Sequence, residues 1–305
     1  LTTNQTQSVG LASRAINRLL AIKPLAKVVK MQARRMMIAR GERLGVHWRN
    51  TFKQLQSLDW DRTFAEVNNP ELQYPDYYLT SFHAYDTGNL SWEAAWEVES
   101  AAYTVHSRIW GGERIGGDKQ LRDSYRDVLK TMEIQPLTIL DLGCGVGMST
   151  FELSRSFPQA KVTGVDLSPY FLSVAKYNAV GKSIDWVHAA AEATGLPERG
   201  FDLVSACLMF HELPQSAAKA IIKEANRLLR PGGYLGIMDM NPRSPIFQTM
   251  PPYILTLLKS TEPYLDEYFA LNFEELMNPD SNFTEPTITI NSPRHRTIMA
   301  RRLVT

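Results

Sequence analysis

The residues best placed to do chemistry sit in one stretch, Thr138-Ile-Leu-Asp-Leu-Gly-Cys-Gly-Val-Gly-Met148. It reads as a buried strand, an acid at Asp141, and glycines at 143, 145 and 147 before a helix. Glycines there tolerate positive φ and carry no Cβ, so a flat or charged ligand can approach the backbone at a helix N-terminus. A tight strand-to-helix turn without a ligand would use glycines too, but it would have no need of Asp141. A second strand, Lys161-Val-Thr-Gly-Val-Asp166, ends in another acid about twenty residues beyond the glycine turn, where a carboxylate can accept both hydroxyls of a ribose. Asp166 ahead of Ser168-Pro169 also suits a plainer role at a helix N-cap.

A nicotinamide dinucleotide uses the same plan, but its G-x-G-x-x-G fingerprint would need glycine where Met148 stands. The glycine turn and Asp166 are followed in order by Glu192-Ala-Thr-Gly-Leu-Pro197, Phe201-Asp202-Leu-Val204 and Leu228-Leu-Arg-Pro-Gly-Gly233. Together these resemble the class I S-adenosylmethionine-dependent methyltransferases over residues 118 to 305, most of all the branch of ubiquinone and menaquinone C-methyltransferases and related small-molecule enzymes. The resemblance implies S-adenosyl-L-methionine as cofactor, with Asp141, Gly143, Cys144 and Gly145 near its methionyl portion. It also implies Asp166 and Leu167 at the ribose, Ala191 and Glu192 beside the adenine, and Leu208 on the cofactor side of the strand 4 tip. The family more often has Asp at position 192, and a solvated loop charge is the plainer reading of Glu192.

The activity so implied is methyl transfer to a small, aromatic or lipophilic acceptor by in-line displacement. A sulfonium is already electrophilic, so the protein chiefly aligns the acceptor and excludes water. His211, after the fourth strand, is the candidate catalytic residue, to remove an acceptor proton or orient a hydroxyl; a hydrogen-bonded structural histidine is the competing reading. Alternatives are a non-catalytic cofactor-binding or assembly protein and an RNA methyltransferase. Base methylation is disfavoured because strand 4 ends in Met209-Phe-His-Glu-Leu-Pro214, while Pro251-Pro252-Tyr253 lies after strand 5. Two cysteines, Cys144 and Cys207, offer neither a disulfide framework nor a zinc cluster, so metal chemistry is not indicated and a reducing compartment, cytoplasm or organelle stroma, is expected.

The elements that must hold these residues alternate: strands near 138–142, 161–166, 184–189, 201–207 and 233–239, with helical segments between them. That pattern predicts an α/β fold, a Rossmann-like seven-stranded sheet of five parallel strands plus a C-terminal antiparallel hairpin (287–291 and 296–303), with helices on both faces and an N-terminal helical extension. A helix is expected at 118–133 and a helical stretch at 250–275. The 305 residues divide into a basic amphipathic segment (1–57), an aromatic-rich extension or lid (58–117) and the methyltransferase-like domain (118–305). The first segment carries eleven Lys+Arg and one acid, Glu42, a net +10 against −9 for the rest. It suits peripheral contact with anionic lipid, or a helix packed on an acidic core. Its start fits equally a processed precursor, a targeting segment or a trimmed terminus. Helix periodicity through Leu25, Val28, Val29 and Met36, with Lys27, Lys30, Arg34 and Arg35 between, is expected to break at Pro24. Tyr77, Tyr78, Phe82, His83, Tyr85, Asn89 and Trp92, and the later segment 253–268, are candidates to cover a flat acceptor.

Overall fold

The chain is described from a computed structural model covering residues 23–80, 85 and 87–304. The beginning of the basic segment, Phe82, His83 and the side chains of Leu25, Lys27 and Val29 lie outside the described residues. Five strands run parallel: β1 (Thr138–Leu142), β2 (Lys161–Asp166), β3 (Ile184–His188), β4 (Phe201–Cys207) and β5 (Leu229–Met240). With β6 (Thr287–Ile290) and β7 (His295–Arg301) they form one sheet in the order β3-β2-β1-β4-β5-β7-β6. The last hairpin is antiparallel, and its second strand, not its first, pairs with β5. The reversal of strand order between β1 and β4 opens a crevice at the carboxyl ends of these strands, where open α/β sheets bind ligands.

The central strands read as unbroken apolar runs because both faces are covered. Leu140, Leu142, Val204, Leu235 and Ile237 pack on one side with α8 (Gln215–Leu228), and Ile139, Val162, Leu203 and Met238 pack on the other with α5 (Gly117–Thr131). Helices α6 (Met148–Ser156) and α7 (Pro169–Asn178) follow β1 and β2. Ser168 caps α7, its side chain accepting from Phe171 N, with Pro169 in the first turn. The cap role open to Asp166 therefore falls to Ser168.

Ahead of the sheet lie α1 (Lys23–Arg43), α2 (Trp48–Gln56), α3 (Asp61–Val67) and α4 (Trp92–His106). The helix α1 begins at Lys23 with Pro24 in its first turn, where the missing N–H is not required; what precedes Lys23 lies outside the described residues. The expected helical stretch after β5 is a series of short helices, α9 (Pro245–Gln248), α10 (Pro252–Thr261), α11 (Leu265–Phe269) and α12 (Phe273–Leu276). Prolines at 245 and 252 start two of them, and the Asn272 side chain caps the last.

Much of the aromatic extension is core. Trp60, Trp96, Trp92 and Tyr85 pack with Val146, Phe171 and Val174 of the sheet domain. Helix α1 docks through charge as well as apolar contact: the Arg34 guanidinium donates two hydrogen bonds to Glu97, a carboxylate 2% exposed on α4, which also accepts from the Tyr85 hydroxyl. Removing that carboxylate leaves a guanidinium and a phenol facing each other in the interface. Glu97→Ala is expected to cost about 3 to 5 kcal/mol and to make α1 cleavable by protease before the sheet unfolds. Denaturant midpoints and limited proteolysis check this, and an unchanged midpoint would refute it.

Candidate active site

The cleft at the tips of β1, β2 and β4 encloses about 940 Å³ of atom-free space, part of it open to solvent. Of the residues expected from sequence to hold a cofactor, Gly143, Gly145, Asp166, Leu167, Ala191 and Leu208 line it. Asp141, Cys144, Glu192 and His211 stand behind or beside the wall.

Asp166 ties the two sides of the crevice together. Its Oδ2 accepts the Gly145 N–H and its Oδ1 the Ser168 N–H, both at 2.8 Å. Each oxygen keeps a further lone-pair direction for a hydroxyl donor. Burial pushes its pKa up to about 6, against the pull of those two amides. Gly143, at φ +64°, holds a conformation that strains any side chain, and a Cβ there would lie 2.4 Å from Met209 Sδ, so Met209 would have to move. Leu208, just after β4, has φ +58°, a strained conformation for leucine that turns Met209 toward the glycine loop.

Asp141 lies deeper. Its Oδ2 accepts from Ser149 Oγ and Thr150 Oγ1, both at 2.7 Å, while its buried Oδ1 has no hydrogen-bond partner. Burial raises this group to about 6 as well. Nearby, Arg122 is buried, pairs with Asp118 and directs two further donors only at the sulfurs of Cys207 and Met148, 3.7 Å away. Arg122 has no marker in the sequence; it reads as one more basic residue on an amphipathic helix. Cys144 and Cys207 are buried thiols whose pKa burial drives upward, so neither is a nucleophile.

The glycine turn, the doubly anchored Asp166 carboxylate and the orphaned Asp141 oxygen fit an amino-acid nucleoside lying across the tips of β1 and β2. Glu192, half-buried in the loop after β3, accepts the Tyr77 hydroxyl on both oxygens, at 2.9 and 3.0 Å. Thr194 in the same loop is fixed by Glu224 of α8, through its amide and its hydroxyl.

The N-terminal extension contributes part of the cleft wall. Tyr77, Tyr78 and Asn89 line it, whereas Tyr85 and Trp92 from the same run point into the helical core. The extension is held down at the β3 tip, where Asn69 N donates to His188 Nδ1 at 2.9 Å, and near the start of α7, where Ser168 Oγ donates to Asn89 O at 2.7 Å. The end of the cleft beyond Leu208 is walled by Met209, Leu213 and Ile221, with polar tips from Glu212, Asn89 and Tyr78. Met209 lies in the strand 4 end that the sequence marks, whereas Ile221 carried no signal, being one apolar residue among many on its helix. In the later segment, Tyr264 meets Tyr77 edge to face, while Tyr268 is buried and bonds Met240 O.

His211 is 7% exposed and not part of the cleft wall. Its Nδ1 pairs with Asp239 Oδ1 at 2.7 Å, and its N–H donates to Asp239 Oδ2. Burial opposes the charge, but the Asp239 carboxylate prevails and raises the imidazole pKa to about 10. At neutral pH this ring carries its proton, which is the hydrogen-bonded structural arrangement and not that of a free base. The folded pKa lies above the free value, so the pair's contribution is full below about pH 6.5 and is lost as pH rises through about 10. Asp239→Ala is expected to cost about 3 to 5 kcal/mol near pH 6 and clearly less near pH 10. Urea melts at the two pH values check this; equal losses would refute it.

Residues 139–233 match the methyltransferase domain family. A curated relative from Synechocystis, "Uncharacterized methyltransferase sll0829", is 33% identical over 140 residues, 46% of this chain and 62% of its own. The demethylmenaquinone methyltransferase of Lactococcus lactis is 32% identical over 149 residues, 47% of this chain and 57% of its own. The chain thus spans less than two thirds of the curated relatives it matches. Among solved structures, the phosphoethanolamine N-methyltransferase 2 of Haemonchus contortus, in complex with S-adenosyl-L-methionine, shares the fold with a TM-score of 0.51 at 16% identity, over 76% of this chain and 61% of its own. With the glycine turn, Asp166 and the later motifs in register on this sheet, the segment from β1 to β5 matches a methyltransferase domain and is similar to relatives named as menaquinone and ubiquinone methyltransferases.

Proposed function

We propose that this protein transfers a methyl group from S-adenosyl-L-methionine to a small aromatic or lipophilic acceptor bound beyond Leu208. The observation that carries the reading is the Asp166 carboxylate, braced by the amides of Gly145 and Ser168 and bordering the cleft. The bound cofactor would supply an electrophilic methyl on sulfur. Asp166 accepts its two ribose hydroxyls, and Ala191 and Glu192 flank the adenine. The methionyl end finds both signs of charge, Asp141 for the ammonium and Arg122 for the carboxylate. The apolar wall of Met209, Leu213 and Ile221, with Tyr78 above, excludes water and aligns a flat acceptor. His211 takes no proton in this scheme; paired with Asp239, it sets the turn that presents Glu212 to the cleft.

Peripheral membrane contact is a second proposal, supported by Val28, Met31 and Met36, which are 57%, 42% and 64% exposed on α1 in the basic segment. Such residues suit shallow insertion among anionic headgroups. Co-sedimentation with anionic vesicles, lost at high salt, is the expected result; no pelleting at low salt would refute it.

Asp166→Ala is expected to weaken binding of S-adenosylhomocysteine more than tenfold, since charge-assisted bonds to two hydroxyls contribute about 1.5 to 3 kcal/mol each. In the unsubstituted chain the same affinity should fall as pH drops through about 6, where Asp166 and Asp141 gain protons. Calorimetry from pH 5 to 8, followed by an acceptor screen for methylated product, checks the reading. Unchanged affinity in the variant would sink it.

A further inference from the structure

Three ligand-bearing side chains outside the cofactor end are brought together only by the fold. His211 and Glu212 form the end of the single 3-10 turn after β4 (Phe210–Glu212), and Glu262 follows α10. One ligand atom from each lies within 4.8 Å of the others, close enough to surround a single ion. His211 and Glu262 are buried, at 7% and 6% exposure, so their donors are presented inside the protein rather than dispersed in solvent. Glu212 is half-buried and borders the cleft.

The imidazole is already oriented. Its Nδ1 is held by Asp239 at 2.7 Å, which leaves Nε2 as the nitrogen an ion would ligate, releasing the Nε2 proton to solvent as it binds. A carboxylate behind a histidine in this way fixes the tautomer and strengthens the ring as a ligand. Asp239 in turn accepts the backbone N–H groups of Met240 and His211, so it cannot swing away without breaking the β5 end.

We propose that His211, Glu212 and Glu262 form a binding site for one divalent cation, at the acceptor end of the cleft. One imidazole and two carboxylates favour Mn²⁺ or Zn²⁺ over Ca²⁺ and Mg²⁺, which prefer all-oxygen sets. Three protein ligands leave a coordination position open, the pattern of a site that engages a substrate and not of a closed structural one. Glu212 sets the ion against the cleft wall, so the acceptor class it favours is one bearing an oxygen donor, such as a phenol. That last step rests on the methyltransferase reading; cation binding itself does not.

The test uses the full chain stripped of metal with a chelator. It is titrated with Mn²⁺, read by the electron paramagnetic resonance of the free ion, and with Zn²⁺, read by calorimetry. One cation per chain is expected, with affinity reduced at least tenfold in Glu262→Gln and in Glu212→Gln. S-adenosylhomocysteine affinity in Glu262→Gln should stay within twofold of the unsubstituted chain. No stoichiometric binding, or binding that survives both substitutions, overturns the site. Circular dichroism melts of both variants accompany the titrations; if Glu262→Gln unfolds, Glu212→Gln, at the half-buried position, decides the question alone. A chain that binds the cation but not the nucleoside keeps the metal site and overturns the methyltransferase reading, and the reverse result does the opposite.

Discussion

The Asp166 carboxylate is the joint on which the cleft depends. It ends β2, yet it accepts an amide from the glycine turn after β1 and another from the residue that caps α7. Three segments are thereby held in register around one buried anion. An anion in that position is costly unless bonded, and its upward-shifted pKa expresses the cost. What offsets it is local and directional: two amides at 2.8 Å, with lone-pair directions still available to a ligand. A cleft built this way is polarised before anything enters it, so little reorganisation is needed on binding.

The same economy governs the cover. Asn69, Tyr77 and Asn89 of the extension are held by groups that belong to the sheet domain: His188 at the end of β3, Glu192 in the loop that follows, and Ser168 before α7. Its aromatic run divides by direction. Tyr77 and Tyr78 face the cleft, while Tyr85 turns away to Glu97, where it meets Arg34 of the basic helix. The positive charge of the N-terminal part is thus used partly inside the molecule, on a carboxylate 2% exposed, and partly at the surface.

Two buried ion pairs flank the cleft with different consequences. The pair of Asp118 with Arg122 and His106 lies near Asp141, and the Arg122 guanidinium directs two donors at sulfurs. The pair of His211 with Asp239 lies after β4 and holds an imidazole beside two glutamates. Neither arrangement is cheap to bury, because desolvation offsets much of the attraction within each pair. Their placement at the two ends of one cleft is what makes them informative about function.

Much of this protein could be read from local pattern. The five parallel strands, the glycine turn, Asp166 and the closing hairpin follow from apolar runs, turn residues and spacing, because each is set by neighbours in the chain. The segment after β5 was harder: its apolar content indicated helix, but prolines at 245 and 252 and the Asn272 cap cut it into short pieces. Other features were decided by packing between distant segments. Nothing local dictates that β7 rather than β6 lies against β5, that Tyr78 faces the cleft while Tyr85 does not, or that Asp239 lies 2.7 Å from His211. The sequence left His211 open between a base and a hydrogen-bonded structural histidine, because a partner 28 positions away is invisible to periodicity. The sequence by itself determined which strand ends carry acids and glycines, since backbone φ and alternation act over a few residues. Only the tertiary structure decided which of those groups meet, since charge pairing and burial act through space.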